Sequence, residues 1–314
     1  MISPPALLSG LGLVALVVLV VLVLWGLRTA IHRGLAPKRA SERGSPGDLG
    51  LAYWEARIPT ANNRHLFAWL VPATQAGQAG QAGQTPGVVL LHGWSGNAET
   101  LLPLARPLHL AGFTVLLFDA RCHGRSDEDS FASLPRFAED LEHALDWLRQ
   151  QPGVDGERLA LVGHSVGAGA ALLVASRRDD ISAVASIAAF SHPARMMRRL
   201  LASKHVPYLP FGWMLLGYVQ HVIGHRFDDI APVNTIRKLR CPTLLVHGAE
   251  DPTVPVDEAR AIHAAGAANL VRLLIIPGSH DDYGDIDQEA EPLVDFLRES
   301  VIRSGRGLGG VEGP

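Results

Sequence analysis

Cysteine is nearly missing: Cys122 and Cys241 are the only two in 314 residues. Two thiols cannot build a disulfide framework, and their separation does not fit zinc-ligand spacing. The expectation is therefore free thiols in a reducing compartment and no metal site. An excess of charge of either sign is missing too. Lys and Arg number 28 against 31 Asp and Glu, for a formal net charge of -3. No basic patch interleaved with aromatics occurs, which excludes nucleic acid as a partner. Charged residues make up only 19% of the chain against 47% hydrophobic ones, so the chain is not of the disordered class and can bury a large core.

What the chain does contain is one long apolar run. Ala6 to Leu27, ALLSGLGLVALVVLVVLVLWGL, carries no charge and is long enough to cross a bilayer core as a helix. MISPPALLSG lacks the basic n-region of a secretory signal, whereas Arg28, Arg33, Lys38, Arg39 and Arg43 follow the run. The positive-inside rule then predicts an N-terminal transmembrane helix over residues 1–27. The protein would be single-pass, with the membrane as a partner and the C-terminal domain in the cytoplasm. Residues 28–50, rich in Arg, Gly, Ser and Pro, read as a basic linker, with structure beginning near Leu51.

LAYWEARIPT and RHLFAWLVPA look like paired antiparallel strands, and the QAGQAGQAGQ that follows reads as a mobile surface loop. From Pro86 the pattern changes. GVVLLHG, FTVLLFDA, RLALVGHS, SAVASIAAF, CPTLLVHG and NLVRLLIIPG alternate with helix-length amphipathic segments, which predicts an α/β domain over residues 51–304 built on a parallel sheet. In PRFAEDLEHALDWLRQQ, Phe137, Leu141, Ala144 and Leu148 share one helical face that should pack on that sheet. The alternation fails between Ser191 and Arg240. That stretch, too long for an ordinary connection, reads as a helical cap insert over about 192–240 or as a membrane-contacting insert. Its Tyr208, Leu209, Phe211, Trp213, Met214, Leu215 and Leu216 could line an acyl pocket or pack the cap on the body. GRGLGGVEGP, residues 305–314, reads as a flexible tail.

The apolar segment LALVGHSVGAGAALLVAS is interrupted at Gly163, Ser165 and Gly167. Glycines on both sides permit a sharp strand-to-helix turn that exposes the serine hydroxyl, with the following helix N-terminus facing any anion formed there. A hydroxyl needs a base to take its proton, and the base needs an orienting group. TLLVHGAEDPTVP presents Asp251 just past a strand, and LLIIPGSHDDYGD presents His280 past the next. The order Ser, Asp, His suits this arrangement, with Glu250 and Asp282 as alternative acids. The Val166 amide and the Trp94 amide are the candidate oxyanion donors. His92 and His164 read as structural histidines bonded to backbone. Cys122 and His123 lack such a turn, which argues against a thiol nucleophile.

HGWSGN at 92–97, DARCHGRS at 119–126, GHSVG at 163–167, HGAEDPTVP at 247–255 and PGSHDD at 277–282 together resemble the α/β-hydrolase superfamily, in its serine aminopeptidase-like and monoacylglycerol-lipase-like branch. The resemblance spans most of residues 86–300. It implies a mostly parallel sheet of about eight strands flanked by helices, with Ser165 as nucleophile, Asp251 as acid, His280 as base, and Trp94 and Val166 as oxyanion donors. It also implies that DARCHGRS lines or braces the site. PGSHDD departs from the commoner G-x-G-H, and the cap matches none of the branch. The expected function is a membrane-anchored serine hydrolase, carboxylesterase-like or lipase-like, acting on a small-molecule or lipid-derived acyl ester without metal or organic cofactor. A serine peptidase, a thioesterase and a non-catalytic membrane scaffold are the alternatives.

Overall fold

The computed structural model describes residues 4–74, 84–280 and 290–303. Most of the Gln/Gly loop, the C-terminal tail and Asp282 lie outside the described residues.

Short aliphatic runs bounded by Gly, Pro and polar residues form eight strands: β1 Trp54–Thr60, β2 Arg64–Val71, β3 Thr85–Leu91, β4 Thr114–Phe118, β5 Val154–His164, β6 Ala183–Ile187, β7 Thr243–Gly248 and β8 Val271–Ile276. They make one sheet in the order β1-β2-β4-β3-β5-β6-β7-β8. β1 and β2 pair antiparallel, from Trp54 opposite Leu70 to Thr60 opposite Arg64. β2 also runs antiparallel to β4, and the remaining pairs are parallel. The helices are α1 Pro4–Gly34, α2 Leu102–Leu110, α3 Leu134–Arg149, α4 Val166–Ala175, α5 Pro193–Ser203, α6 Trp213–Ile223, the one-turn α7 Phe227–Ile230 and α8 Pro232–Thr235, α9 Asp257–Ala265 and α10 Glu291–Leu297.

Because side chains alternate along a strand, β3 feeds two cores. Val89 and Leu91 join the cluster beneath α3 and α4, while Val88 and Leu90 join the one beneath α2 and α10. α3 begins where Ser133 Oγ accepts the Arg136 amide at 3.4 Å, two residues before Pro135 fixes a helical φ. Its Phe137, Leu141, Ala144 and Leu148 are buried as the spacing predicts, each large side chain stabilising the fold by about 1.5–3 kcal/mol.

One carboxylate lies on that buried face. Asp140 accepts from the Arg121 amide at 2.9 Å, from Arg121 Nε at 2.7 Å and from Thr60 Oγ1 at 2.8 Å. Burial pushes its pKa up to about 6 against the pull of Arg121. Arg121, itself buried, also pairs with Asp129 at 3.1 Å and with Glu139. Replacing Arg121 by methionine strands the Asp140 charge in the core. The expected loss is about 3–5 kcal/mol, read as a lower urea midpoint at neutral pH.

The N-terminal expectation is corrected. Among the described residues no helix is long and apolar enough to cross a membrane. This overturns the transmembrane helix over residues 1–27 and, with it, the single-pass placement. In α1, Ile31 is buried in the body and His32 meets the Phe131 ring edge-on at 6.4 Å. Ordered contacts also begin before Leu51: the Ala132 amide donates to the Leu35 carbonyl at 2.9 Å, and Arg39 lies on the 123–128 loop.

In the cap segment the apolar residues divide. Leu216 is buried, and Tyr208 and Leu215 pack against the core. Leu209, Phe211, Trp213 and Met214 are exposed.

Candidate active site

β5 ends at His164 and α4 starts at Val166, so the chain reverses direction at a single residue. Ser165 takes φ 54° and ψ -114°, a strained conformation for a residue with a Cβ and one that persists only where its surroundings hold it. The flanking glycines make the turn possible. A Cβ at Gly163 would lie 2.2 Å from the Gly167 carbonyl oxygen, and one at Gly167 would lie 2.4 Å from the His92 carbonyl oxygen. Gly167→Ala is therefore expected to push β3 off α4 and yield little folded protein, measured as soluble recovery and circular dichroism.

Two loops complete the site. Past β7, Asp251 Oδ1 accepts the Thr253 and Val254 amides, both at 2.8 Å. Past β8, His280 lies between Asp251 and Ser165. Its Nδ1 is 2.7 Å from Asp251 Oδ2 and its Nε2 is 3.0 Å from Ser165 Oγ. Burial would raise the Asp251 pKa, but the His280 hydrogen bond and the two amides outweigh it and hold the carboxyl below its ordinary value. The ionised carboxylate keeps the His280 proton on Nδ1, leaving the Nε2 lone pair aimed at the serine hydroxyl. The structure thus brings together Ser165, Asp251 and His280. Glu250 is exposed and turned away, accepting the Gly278 amide at 2.8 Å.

The Val166 amide opens α4, where helix dipoles favour negative charge. The 92–97 turn lies against Ser165: a Cβ at Gly93 would be 3.1 Å from the Ser165 Cβ. This brings Trp94 beside the nucleophile candidate, its ring stacked on Phe137 at 6.4 Å. Neither the Trp94 nor the Val166 amide donates to another backbone or side-chain group among the described residues. His92 is neutral, since burial drives its pKa well down. Its Nδ1–H donates to the Gly93 carbonyl at 2.7 Å and its Nε2 accepts the Ala120 amide at 3.0 Å. His164 Nε2–H donates to the His280 carbonyl at 2.9 Å. Both histidines hold loops, as the sequence reading expected. Cys122 Sγ lies 3.4 Å from the Asp129 carbonyl, and burial raises its pKa, so it stays a thiol.

Sequence reasoning missed Asp119. Fully buried at the end of β4, it accepts the Ala98 amide at 2.7 Å and the Arg125 amide at 2.6 Å, joining the 92–99 and 119–126 loops. The Gly124 that follows in DARCHGRS was the available signal: it has φ 43°, and a Cβ there would lie 2.0 Å from Asp119 Oδ2.

The sheet order, the sharp turn after β5 and the loops past β7 and β8 define an α/β-hydrolase fold. The profile of the family described as serine aminopeptidase, S33, matches residues 84–221. The chain has the fold of the α/β hydrolases. Among individual proteins, it is 29% identical over 252 residues to the uncharacterized protein Rv2307c of Mycobacterium tuberculosis, covering 78% of this chain and 79% of that one. It is 29% identical over 244 residues to the uncharacterized protein YfhR of Escherichia coli, covering 75% and 77% respectively. Its fold matches that of an esterase from Pyrococcus furiosus with a TM-score of 0.67 at 22% identity, over 85% of this chain and 98% of that one.

Proposed function

We propose that the protein is a serine hydrolase that cleaves acyl esters through an acyl-enzyme. What supports this reading is the continuous hydrogen-bonded chain from Ser165 Oγ through the His280 ring to Asp251, at 3.0 and 2.7 Å. Ser165 Oγ attacks the acyl carbonyl as its proton passes to His280 Nε2. The carbonyl oxygen becomes an oxyanion, which the Trp94 and Val166 amides stabilise. His280 then protonates the departing alkoxide, and the acyl group remains on Ser165. A water molecule, deprotonated by the same nitrogen, releases the acid and restores the serine. Asp251 orients the imidazole and stabilises its charged form throughout.

An apolar acyl group is the preferred substrate, because Trp94 is 39% exposed beside the nucleophile and rests on Phe137. The test is a set of initial rates with the activated ester, the anilide and the thioester of one acid, repeated for short and long acyl chains. The ester should be turned over fastest, and faster as the chain lengthens from two carbons. A faster anilide or thioester would make the protein a peptidase or a thioesterase. No turnover of any of the three would favour a non-catalytic role for the fold.

A further inference from the structure

Residues 39–43 cross the 92–99 loop, which borders Ser165, and the 119–126 loop that Asp119 ties to it. Arg39 Nη1 donates to the Gly124 carbonyl at 2.5 Å and the His123 carbonyl at 3.5 Å, and Nη2 donates to the Ser126 carbonyl at 2.9 Å. Its Nε pairs with Glu128 at 2.8 Å. On the other side, the Ala40 carbonyl accepts from Asn97 Nδ2 at 3.3 Å, and the Arg43 amide donates to Glu99 Oε2 at 2.9 Å. Asn97 caps the turn that directly follows the Trp94 loop, accepting the Glu99 amide at 3.2 Å. Between the two loops lies Asp119, and Glu42 presses its own carboxyl into hydrogen-bonding contact with it. Glu42 Oε1 is buried and meets no nitrogen donor among the described residues. Two carboxyls in contact must share a proton, since like charges so close cannot both ionise.

We propose that residues 39–43 are a strap that positions the oxyanion loop, with Arg39 and Glu42 as positioning residues, and that the proton shared by Glu42 and Asp119 makes the strap's hold depend on pH. The link to catalysis rests on the reading of Trp94 as an oxyanion donor, whereas docking of the strap does not. Three groups face Glu42 from the body: Asp119 at the end of β4, Arg125 in the following loop, and Glu55 on β1. Arg125 compensates little, because it lies 3.7 Å from Glu42 but donates twice to Glu55, at 2.6 and 2.8 Å.

Burial first, and Asp119 second, raise the Glu42 pKa from 4.5 to about 7. A freed strap would lose this proton near 4.5, and the docked strap holds it to about 7. Docking is therefore firmest below the lower value, weakens as pH rises between the two, and is level above the higher. Between about pH 5.5 and about pH 7 the docking constant falls by about 15-fold, and by about 30-fold once about pH 8 is reached. In Glu42→Gln the amide donates to Asp119 at every pH and removes this dependence.

The test is hydrogen exchange of the full chain, read by mass over residues 94–101 and 120–128 and corrected for intrinsic rates. Wild-type protection should fall as pH rises from about 5.5 to about 7 and then level off. Glu42→Gln should keep at about pH 8 the protection that the wild type shows at about pH 5.5. Arg39→Ala should lose protection at both. The same fall in Glu42→Gln as in the wild type would overturn the shared proton, and full protection in Arg39→Ala would overturn the strap. The rate of fluorophosphonate labelling in Glu42→Gln, relative to wild type, should rise over the same range. A flat ratio beside intact exchange changes would overturn the positioning role. Failure of every form to be labelled would overturn the nucleophile assignment and leave the strap standing.

Discussion

Ser165→Ala is expected to fold normally and to lose activity on an activated acyl ester by about 10⁴-fold or more in kcat/KM. The two halves of this expectation have separate causes. The Ser165 side chain makes no cap hydrogen bond to α4, and its side-chain partner is the His280 ring. Alanine carries the same Cβ, so the strain at φ 54° is unchanged. Thermal midpoint and circular dichroism should match the wild type. Without Oγ, however, no covalent route exists, and what remains is the contribution of oxyanion donors and binding to attack by water. Retained turnover in this variant would mean that another group reacts.

Asp251→Asn should lower kcat by about 10⁴-fold with a far smaller change in KM. The substituted side chain would still accept the Thr253 and Val254 amides through its amide oxygen, so the loop past β7 keeps its shape. Its other end carries an NH₂ group where the second carboxylate oxygen stood. That group donates to His280 Nδ1 and places the ring proton on Nε2, where it faces Ser165 and cannot accept a second proton. Raising the pH does not restore the missing acceptor, so the defect should persist across the whole neutral and alkaline range. In the wild type Asp251 is held below its ordinary value, so the orienting carboxylate is charged throughout the neutral range. A loss of less than tenfold in Asp251→Asn would show that the orienting charge comes from elsewhere. Glu250 is poorly placed to supply it, since it is committed to the Gly278 amide.

Much of this arrangement was legible in the sequence because strands buried on both faces leave an unbroken aliphatic signature. VVLL, TVLLF, LALV and TLLV are all strands, and the candidate site residues lie just past strand ends. The Ser165 turn was legible for a steric reason, since a Cβ at Gly163 or Gly167 would collide with backbone. The strap was not. Arg39 binds carbonyl oxygens, which every residue type offers, so its partners leave no pattern in the sequence. The Arg-, Gly-, Ser- and Pro-rich composition of residues 28–50 reads as linker although its hydrogen bonds reach the loops around the site. Asp119 was hidden similarly, because its two ligands are amides. At the N-terminus, hydropathy alone suggested a membrane span, yet among the described residues no helix is long and apolar enough to cross a membrane, and Ile31 in α1 is buried in the body. The cap was legible as an interruption only, because seven apolar residues close in sequence do not reveal which of them turn inward.

The most direct test of the central claim is covalent. The full-length protein and its Ser165→Ala variant are exposed to a fluorophosphonate, weighed intact, and digested to locate the adduct. An activated serine predicts one adduct per wild-type chain, on a peptide containing Ser165, and none on the variant. An equal adduct on both proteins, or no adduct on a wild type shown to be folded, would contradict it.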